Sequence, residues 1–339
     1  MTKARNRRIV LAKRPAGMPT DEHLVMEEVV RPTPGDGQML LKTLYLSLDP
    51  YMRGRMSAAR SYAASVELGE PMVGGTVSEV VESNVDGFAP GEIVLSSNGW
   101  QEYALSDGTA VRKLDPAVAP VTTALGVLGM PGFTAYVGLL EHGRPKPGDT
   151  VAVSAASGAV GQVVGQIAKL KGARAVGIAG SDDKCRYVVD ELGFDAAVNY
   201  KSDDFTKQLA EACPNGIDVY FENVAGPVLE AVLPLFNDFA RMPVCGTIAY
   251  YNLTELPAGP DKMPALMRAI LTRRLTVRGF IQFDHLDRQA DFLHDMSEWI
   301  RDGRIKYRED IVQGLENTVT AFQGLLQGRN QGKLIIKVA

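Results

Sequence analysis

The sequence of 339 residues predicts an α/β protein with two domains, one an all-β barrel-like unit and the other a parallel sheet with crossover helices. Three observations carry that expectation. The length exceeds the roughly 250 to 300 residues at which a single hydrophobic core stops growing. Up to Asp115, short β-rich runs are punctuated by Gly and Pro, as in a β-barrel. Beyond that point apolar runs alternate with helical stretches, which argues for parallel strands joined by helices.

Taken in order, the first strands are expected in RIVLAKR (8–14), LVMEEVV (24–30), QMLLKTLYLSL (38–48), MVGGTVSEVVES (72–83) and EIVLSS (92–97). The stretch PVTTALGVLGMPGFTAYVGLLEHG (120–143) reads as helical around its MPG break. Buried strands are then expected in VAVSAA (151–156), RAVGIAG (174–180), DAAVNY (195–200), IDVYFENV (217–224), MPVCGTIAYY (242–251) and RLTVRGFIQF (274–283). Helices are expected between them, as in DDKCRYVVDELG (182–193) and PVLEAVLPLF (227–236). GKLIIKV (332–338) returns to a β pattern, so the C-terminal tail is expected to rejoin the first domain. The expected division is 1–122 plus 309–339 against 123–308.

Lys and Arg number 36 against 40 acids, a net charge of -4 that leaves no basic field for nucleic acid and points to a small-molecule partner. The basic start KARNRR is followed by VLAKRPAG, too short and interrupted for a signal segment, and no apolar run approaches a membrane span. A soluble cytoplasmic chain is expected. The three cysteines, Cys185, Cys213 and Cys245, are too widely and irregularly spaced for a disulfide framework or a CxxC site.

The stretch SAASGAVGQVVGQIAK (154–169) follows a strand pattern and opens a helical one. Val160, Val163, Val164 and Ile167 form an apolar stripe, with small residues Gly161, Gly165 and Ala168 beside it for close packing. Gly158 and Gly161 match the second and third glycines of the dinucleotide fingerprint, while Ala156 stands where the first belongs. Such a turn either holds a pyrophosphate at a helix N-terminus or merely joins strand to helix; its place at the head of a long α/β alternation favours the first. The following strand ends in Gly180 and Ser181 rather than in the acid that binds an NAD ribose, and Lys184 and Tyr200 suit a 2′-phosphate, so the pattern favours NADPH. Asp182 and Asp183 oppose this unless they serve the positive end of their own helix.

The sequence resembles the medium-chain dehydrogenase/reductase superfamily, within its zinc-independent branch of prostaglandin reductases, plant alkenal double-bond reductases and bacterial curcumin reductases. The likeness runs through RNRRIVLAKRPAG, LSLDPYMRGRM, MVGGTV, LGMPGFTAY, AASGAVGQVVGQIAKLKG, GSDDK, FENVAG, PVCGTIAYYN and NQGKLIIKV, in that order. It implies a GroES-like barrel plus a Rossmann domain, NADP(H) as coenzyme, and a homodimer. The zinc-dependent relatives would need a Cys within LYLSLDPYM, a His within PMVGGTV and a four-cysteine lobe; this sequence has none of them.

The resemblance implies hydride transfer to an enone or alkenal, with Tyr251 of AYYN as the hydrogen-bond donor to the oxygen that becomes negative. Tyr250 departs from the small residue common at its place, a change expected either to narrow the pocket or to shift the hydroxyl's role. Carried over in the same way, Gly158, Ala159, Val160 and Gly161 face the pyrophosphate, Lys184 and Tyr200 the adenosine phosphate, and Asn223 the nicotinamide ribose. Cys245, Gly246, Tyr251, Phe280, Ile281 and Gln282 border the nicotinamide, and Asn330 closes the site. Tyr51, Met52 and Tyr62 read equally as a pocket wall or as packing between domains. His23, His142, His285 and His294 are dispersed and read as surface or core residues. Two other functions stay open, a zinc-free quinone reductase and a non-catalytic NADPH-binding protein.

Overall fold

The computed structural model describes residues 4–339. The chain falls into two compact units, Met1–Gly126 with Glu309–Ala339, and Val127–Arg308. In the first, β1 (Arg5–Leu11) and β2 (Leu24–Val30) form an antiparallel ribbon. The larger sheet starts with β3 (Met39–Ser47), β4 (Thr76–Ser83), β5 (Ile93–Ser96), β6 (Tyr103–Ser106) and β7 (Arg112–Leu114), with the short helix α1 (Met52–Arg55) between β3 and β4. MVGGTV is strand only from Thr76 onward. A Cβ on Gly74 would stand 2.8 Å from Leu46 Cδ1 and 3.3 Å from Trp100 Cδ1, so this segment is a close-packed crossing rather than a strand.

The second unit contains α2 (Met130–Val137), β8 (Thr150–Ser154), α3 (Gly161–Leu170), β9 (Arg174–Ala179), α4 (Asp182–Arg186), β10 (Ala196–Asn199) and α5 (Phe205–Ala212). It continues with β11 (Ile217–Phe221), α6 (Gly226–Val232), β12 (Phe236–Val244), α7 (Met263–Arg273), β13 (Thr276–Gly279) and α8 (Gln289–Arg301). Its six strands are all parallel and lie in the order β10-β9-β8-β11-β12-β13, the doubly wound Rossmann arrangement whose order reverses between β8 and β11. The stripe on α3 behaves as its spacing requires, since Val163, Val164 and Ile167 are fully buried. The small residues admit a neighbour: a Cβ on Gly165 would fall 1.9 Å from the Phe194 ring.

Two expected strands are cut short. MPVCGTIAYY is strand only to Val244, because the Cys245 and Gly246 N–H groups both turn to the Glu222 carbonyl, at 2.9 and 3.1 Å, and end the ladder. A short helical turn, Ile248–Tyr250, follows. RLTVRGFIQF is strand only over β13, whose four residues are exposed at the sheet edge, and Phe280 then turns inward against Phe221, with ring centroids 6.1 Å apart. The expected helix PVLEAVLPLF ends at Val232, with a tight turn and then β12. The 120–143 stretch is not continuous either: a turn over Val121–Leu125 belongs to the first unit, and α2 starts only at Met130, with Pro131 in its first turn.

The tail returns to the first unit as β14 (Glu309–Gln313), α9 (Thr318–Leu326) and β15 (Lys333–Lys337). β15 lies antiparallel to β3, and α9 sets the Phe322 ring edge-on to Trp100, centroids 5.4 Å apart, in a core shared with Ile9, Leu46, Met52 and Ile336. The fully buried Lys333 ammonium donates to the Leu48 carbonyl at 2.6 Å and to Asp49 Oδ1 at 2.9 Å, which ties the tail to the LSLDP segment. Burial lowers the Lys333 pKa, and the Asp49 carboxylate opposes that fall.

Because the Phe194 ring fills the space over Gly165, Gly165→Val forces α3 away from its neighbour. It should cost about 1–3 kcal/mol by overpacking, read as a lower unfolding midpoint in far-UV circular dichroism.

Candidate active site

The reversal in strand order leaves a crevice at the C-terminal ends of β8 and β11. After Ser154 the chain turns through Ala155 at φ +52°, Ala156 still donates to the Ile178 carbonyl of β9 at 3.0 Å, and Gly158 donates back to the Ala155 carbonyl at 2.9 Å. A Cβ on Gly161 would meet that same carbonyl oxygen at 2.3 Å, so this glycine is required by the turn. Ala156 in place of the first fingerprint glycine has a local remedy. Its methyl sits 2.9 Å from where a Cβ on Gly177 would stand, so the glycine has moved across to β9. Gly158, Ala159 and Val160 are partly exposed where α3 begins, and no side chain caps that N-terminus. Uncapped N–H groups and the positive end of the helix dipole are what a pyrophosphate needs.

At the end of β9, Ser181 Oγ accepts the Lys184 N–H at 3.3 Å and caps α4. The Tyr200 ring lies over Gly180, 3.1 Å from where a Cβ would be. The two acids that weighed against a phosphate here are engaged elsewhere: Asp182 accepts from Asn199 at 2.9 Å, and Asp183 pairs with Arg186. Lys201 was missed in the sequence; its Nζ is 5.8 Å from the Tyr200 ring centroid, so a second cation stands at this corner. Its adjacency to Tyr200 was the available signal.

On the other side of the switch, the Asn223 N–H donates to Ser154 Oγ and its Nδ2 to the Ser154 carbonyl, both at 2.8 Å. Glu222, which sequence reasoning passed over, is 1% exposed beside it. Its Oε1 accepts from Ser154 Oγ at 3.0 Å, Tyr220 OH at 3.1 Å, and the Val224 and Ala225 N–H groups at 2.6 and 2.9 Å. Burial raises the Glu222 pKa against those four donors.

The paired tyrosines separate. Tyr250 OH accepts the Gly226 N–H at 3.1 Å, at the start of α6, whereas Tyr251 OH lies 3.3 Å from where a Cβ on Gly246 would stand, with the Asn223 carbonyl at the same distance. Tyr251, Gly246 and Asn223 are therefore neighbours. Tyr250 has a backbone partner at α6 in place of a hydroxyl directed toward them. Phe280 is packed in the core, its ring 5.1 Å from that of His142, while Ile281 is partly and Gln282 almost wholly buried. His142 and His285 meet, with Nε2 atoms 3.1 Å apart, although 143 residues separate them in the chain. Burial lowers the His142 pKa, and the second imidazole lowers it further.

Four of the expected site residues belong to the first unit. Arg55 lies between the rings of Tyr51 and Tyr62, 5.6 and 5.5 Å from their centroids, and burial pushes the Tyr51 hydroxyl pKa up. Met52 is fully buried within that unit's own core. Asn330 donates its side-chain amide to the Gly332 carbonyl at 2.8 Å in the loop before β15.

Residues 7–114 match the family described as the N-terminal domain of oxidoreductase, and residues 159–300 match the zinc-binding dehydrogenase family. The chain is 54% identical to the NADPH-dependent curcumin reductase of Escherichia coli, over 99% of this chain and 98% of that protein. It belongs to the medium-chain dehydrogenase/reductase family. A 2-alkenal reductase (NADP(+)-dependent) of Nicotiana tabacum is 39% identical over 98% of both chains. The crystal structure of CurA in complex with NADPH from Vibrio vulnificus aligns with a TM-score of 0.95 at 54% identity, covering 98% of this chain and 99% of that one. As a medium-chain dehydrogenase/reductase, the chain has a GroES-like first unit and a Rossmann second unit.

Among the described residues of this family member, no three His, Cys, Asp or Glu side chains gather where they could hold a metal ion. Its three cysteines lie apart, in α4, at the end of α5 and after β12. Burial pushes Cys185 and Cys213 up to about 11, and burial followed by the Glu222 charge pushes Cys245 up to about 12. Since the thiolate is the reactive form, the folded protein should react with Ellman's reagent at pH 8 much more slowly than in guanidinium chloride, where all three thiols should titrate.

Proposed function

We propose that this chain is an NADPH-dependent reductase of the carbon–carbon double bond of α,β-unsaturated ketones and aldehydes, acting without a metal. The observation that carries this reading is the Tyr251 hydroxyl beside Gly246 and Asn223, at the C-terminal edge of a Rossmann sheet. The names of the curcumin and alkenal reductases support the substrate class, and the NADPH complex of CurA supports the coenzyme. Gly158 to Gly161 and the N-terminus of α3 would hold the pyrophosphate. Ser181, Lys184, Tyr200 and Lys201 would take the 2′-phosphate, and Asn223, Cys245 and Gly246 would line the nicotinamide ribose. When bound, NADPH supplies a hydride to the β-carbon of the acceptor.

In this reading Tyr251 donates a hydrogen bond to the acceptor's carbonyl oxygen, where negative charge builds up as the enolate forms. The absence of a Cys from LYLSLDPYM and of a His from PMVGGTV supports a tyrosine rather than zinc in that role. The homodimer expected from the resemblance gains support from β13, an exposed edge strand, and from Met263, Met267 and Leu271, an exposed stripe on α7. An exposed edge strand offers unpaired backbone groups that can pair with a copy of itself about a two-fold axis. No helix of the described residues is long and apolar enough to cross a membrane.

Purified protein supplied with NADPH and an enone should oxidise the coenzyme and yield the saturated ketone. Formation of an allylic alcohol, turnover of quinones alone, or NADPH binding with no turnover would each refute the reading. Tyr251→Phe should lower kcat by about 10²-fold, as loss of an oxyanion donor does. The NADPH dissociation constant, measured by fluorescence titration, should change little.

A further inference from the structure

Glu222 binds several segments of the crevice at once. Through its backbone it binds the Pro243 carbonyl at 3.0 Å and receives Cys245 and Gly246, so it sets the end of β12. Through Oε1 it receives the end of β8, by way of Ser154 Oγ, and the loop after β11, by way of Val224 and Ala225. Ala225 stands at φ +66°, a left-handed conformation costly for a residue with a Cβ, and its N–H is held by the carboxylate. Ser154 Oγ donates to Glu222 while accepting the Asn223 N–H. Glu222 Oε2 is buried with no hydrogen-bond partner, so one oxygen takes all four bonds. A carboxyl held at that desolvation cost, with one oxygen bare, is kept for what the other oxygen orders.

We propose that Glu222 is a positioning residue that shapes the nicotinamide half of the coenzyme site, by fixing Asn223 and the 224–226 turn against the ends of β8 and β12. This rests on the NADPH reading above. The adenosine corner at Gly180, Lys184 and Tyr200 stands on β9, β10 and α4, with its own cap at Ser181. The two halves should therefore respond separately to loss of the carboxylate.

The test compares two probes, NADPH and adenosine 2′,5′-bisphosphate, by isothermal titration calorimetry on the full-length protein. Glu222→Ala should weaken NADPH roughly tenfold, the scale of losing one or more positioning hydrogen bonds. The bisphosphate, which lacks the nicotinamide half, should bind as to the unaltered protein. Glu222→Gln keeps an acceptor at Oε1 and should recover most of the NADPH affinity. Ser154→Ala, which removes the hydroxyl between Glu222 and the Asn223 N–H and keeps the Asn223 side-chain bond to the Ser154 carbonyl, should give a smaller loss with the same selectivity and stands in if Glu222→Ala does not fold. Equal loss of both probes, unchanged NADPH affinity, or a Gln variant no better than Ala would overturn the assignment. If the unaltered protein bound neither probe, the coenzyme reading itself would fall, and this assignment with it.

Discussion

The second unit depends on the pairing of β8 with β11, which sets Val151, Ala152 and Val153 opposite Val219, Tyr220 and Phe221. Strands 68 residues apart are thereby brought into register, so that Ser154 meets Glu222 and Asn223 at the point where both strands end. The crevice exists because helices leave these two strands in opposite directions. Each interaction at the site is built on that register: the Asn223 amide spans the two strands, and the Glu222 carbonyl stops β12 so that Gly246 and Tyr251 turn toward them. A slip of one residue would reverse every side chain along β11 and put the carboxylate on the opposite face.

Close packing around this pairing rests on where methyl groups are missing. Ala156 and Gly177 exchange the roles that a glycine at the turn would fill alone, and Gly165 leaves space for Phe194. Buried charge is handled differently in the two units. In the first, Lys333 and Asp49 neutralise one another and satisfy a carbonyl as well. In the second, Glu222 has no cation as a hydrogen-bond partner and relies on hydroxyl and backbone donors, which hold position but leave burial dominant in raising its pKa. The first arrangement joins the two ends of a domain; the second organises a loop.

Much of the fold was legible. Alternating apolar runs and the stripe on α3 reported buried strands and a helix on a sheet because periodicity records burial directly. The ends of β12 and β13 were not legible, since GTIAYY and FIQF have the composition of strands and only the Glu222 carbonyl and the Phe221 ring end them. Lys201 was overlooked because its adjacency to Tyr200 gains weight only once that ring is placed at the corner beside Gly180. Glu222 was overlooked because a single acid in an apolar strand has no partner in sequence; its four donors come from β8, β11 and the loop that follows. The two histidines looked dispersed for the same reason.

By itself the sequence determined the two classes of fold and the family, and it placed a glycine turn at the head of the α/β region. Those properties follow from local periodicity, composition and ordered motifs, all of which are written along the chain. Only the tertiary structure decided that the Tyr250 hydroxyl meets the Gly226 N–H while that of Tyr251 lies beside Gly246, that Asp182 and Asp183 are already engaged, and that one buried carboxylate holds three segments together. Those are contacts between residues distant in sequence, and their geometry comes into being when the strands pair.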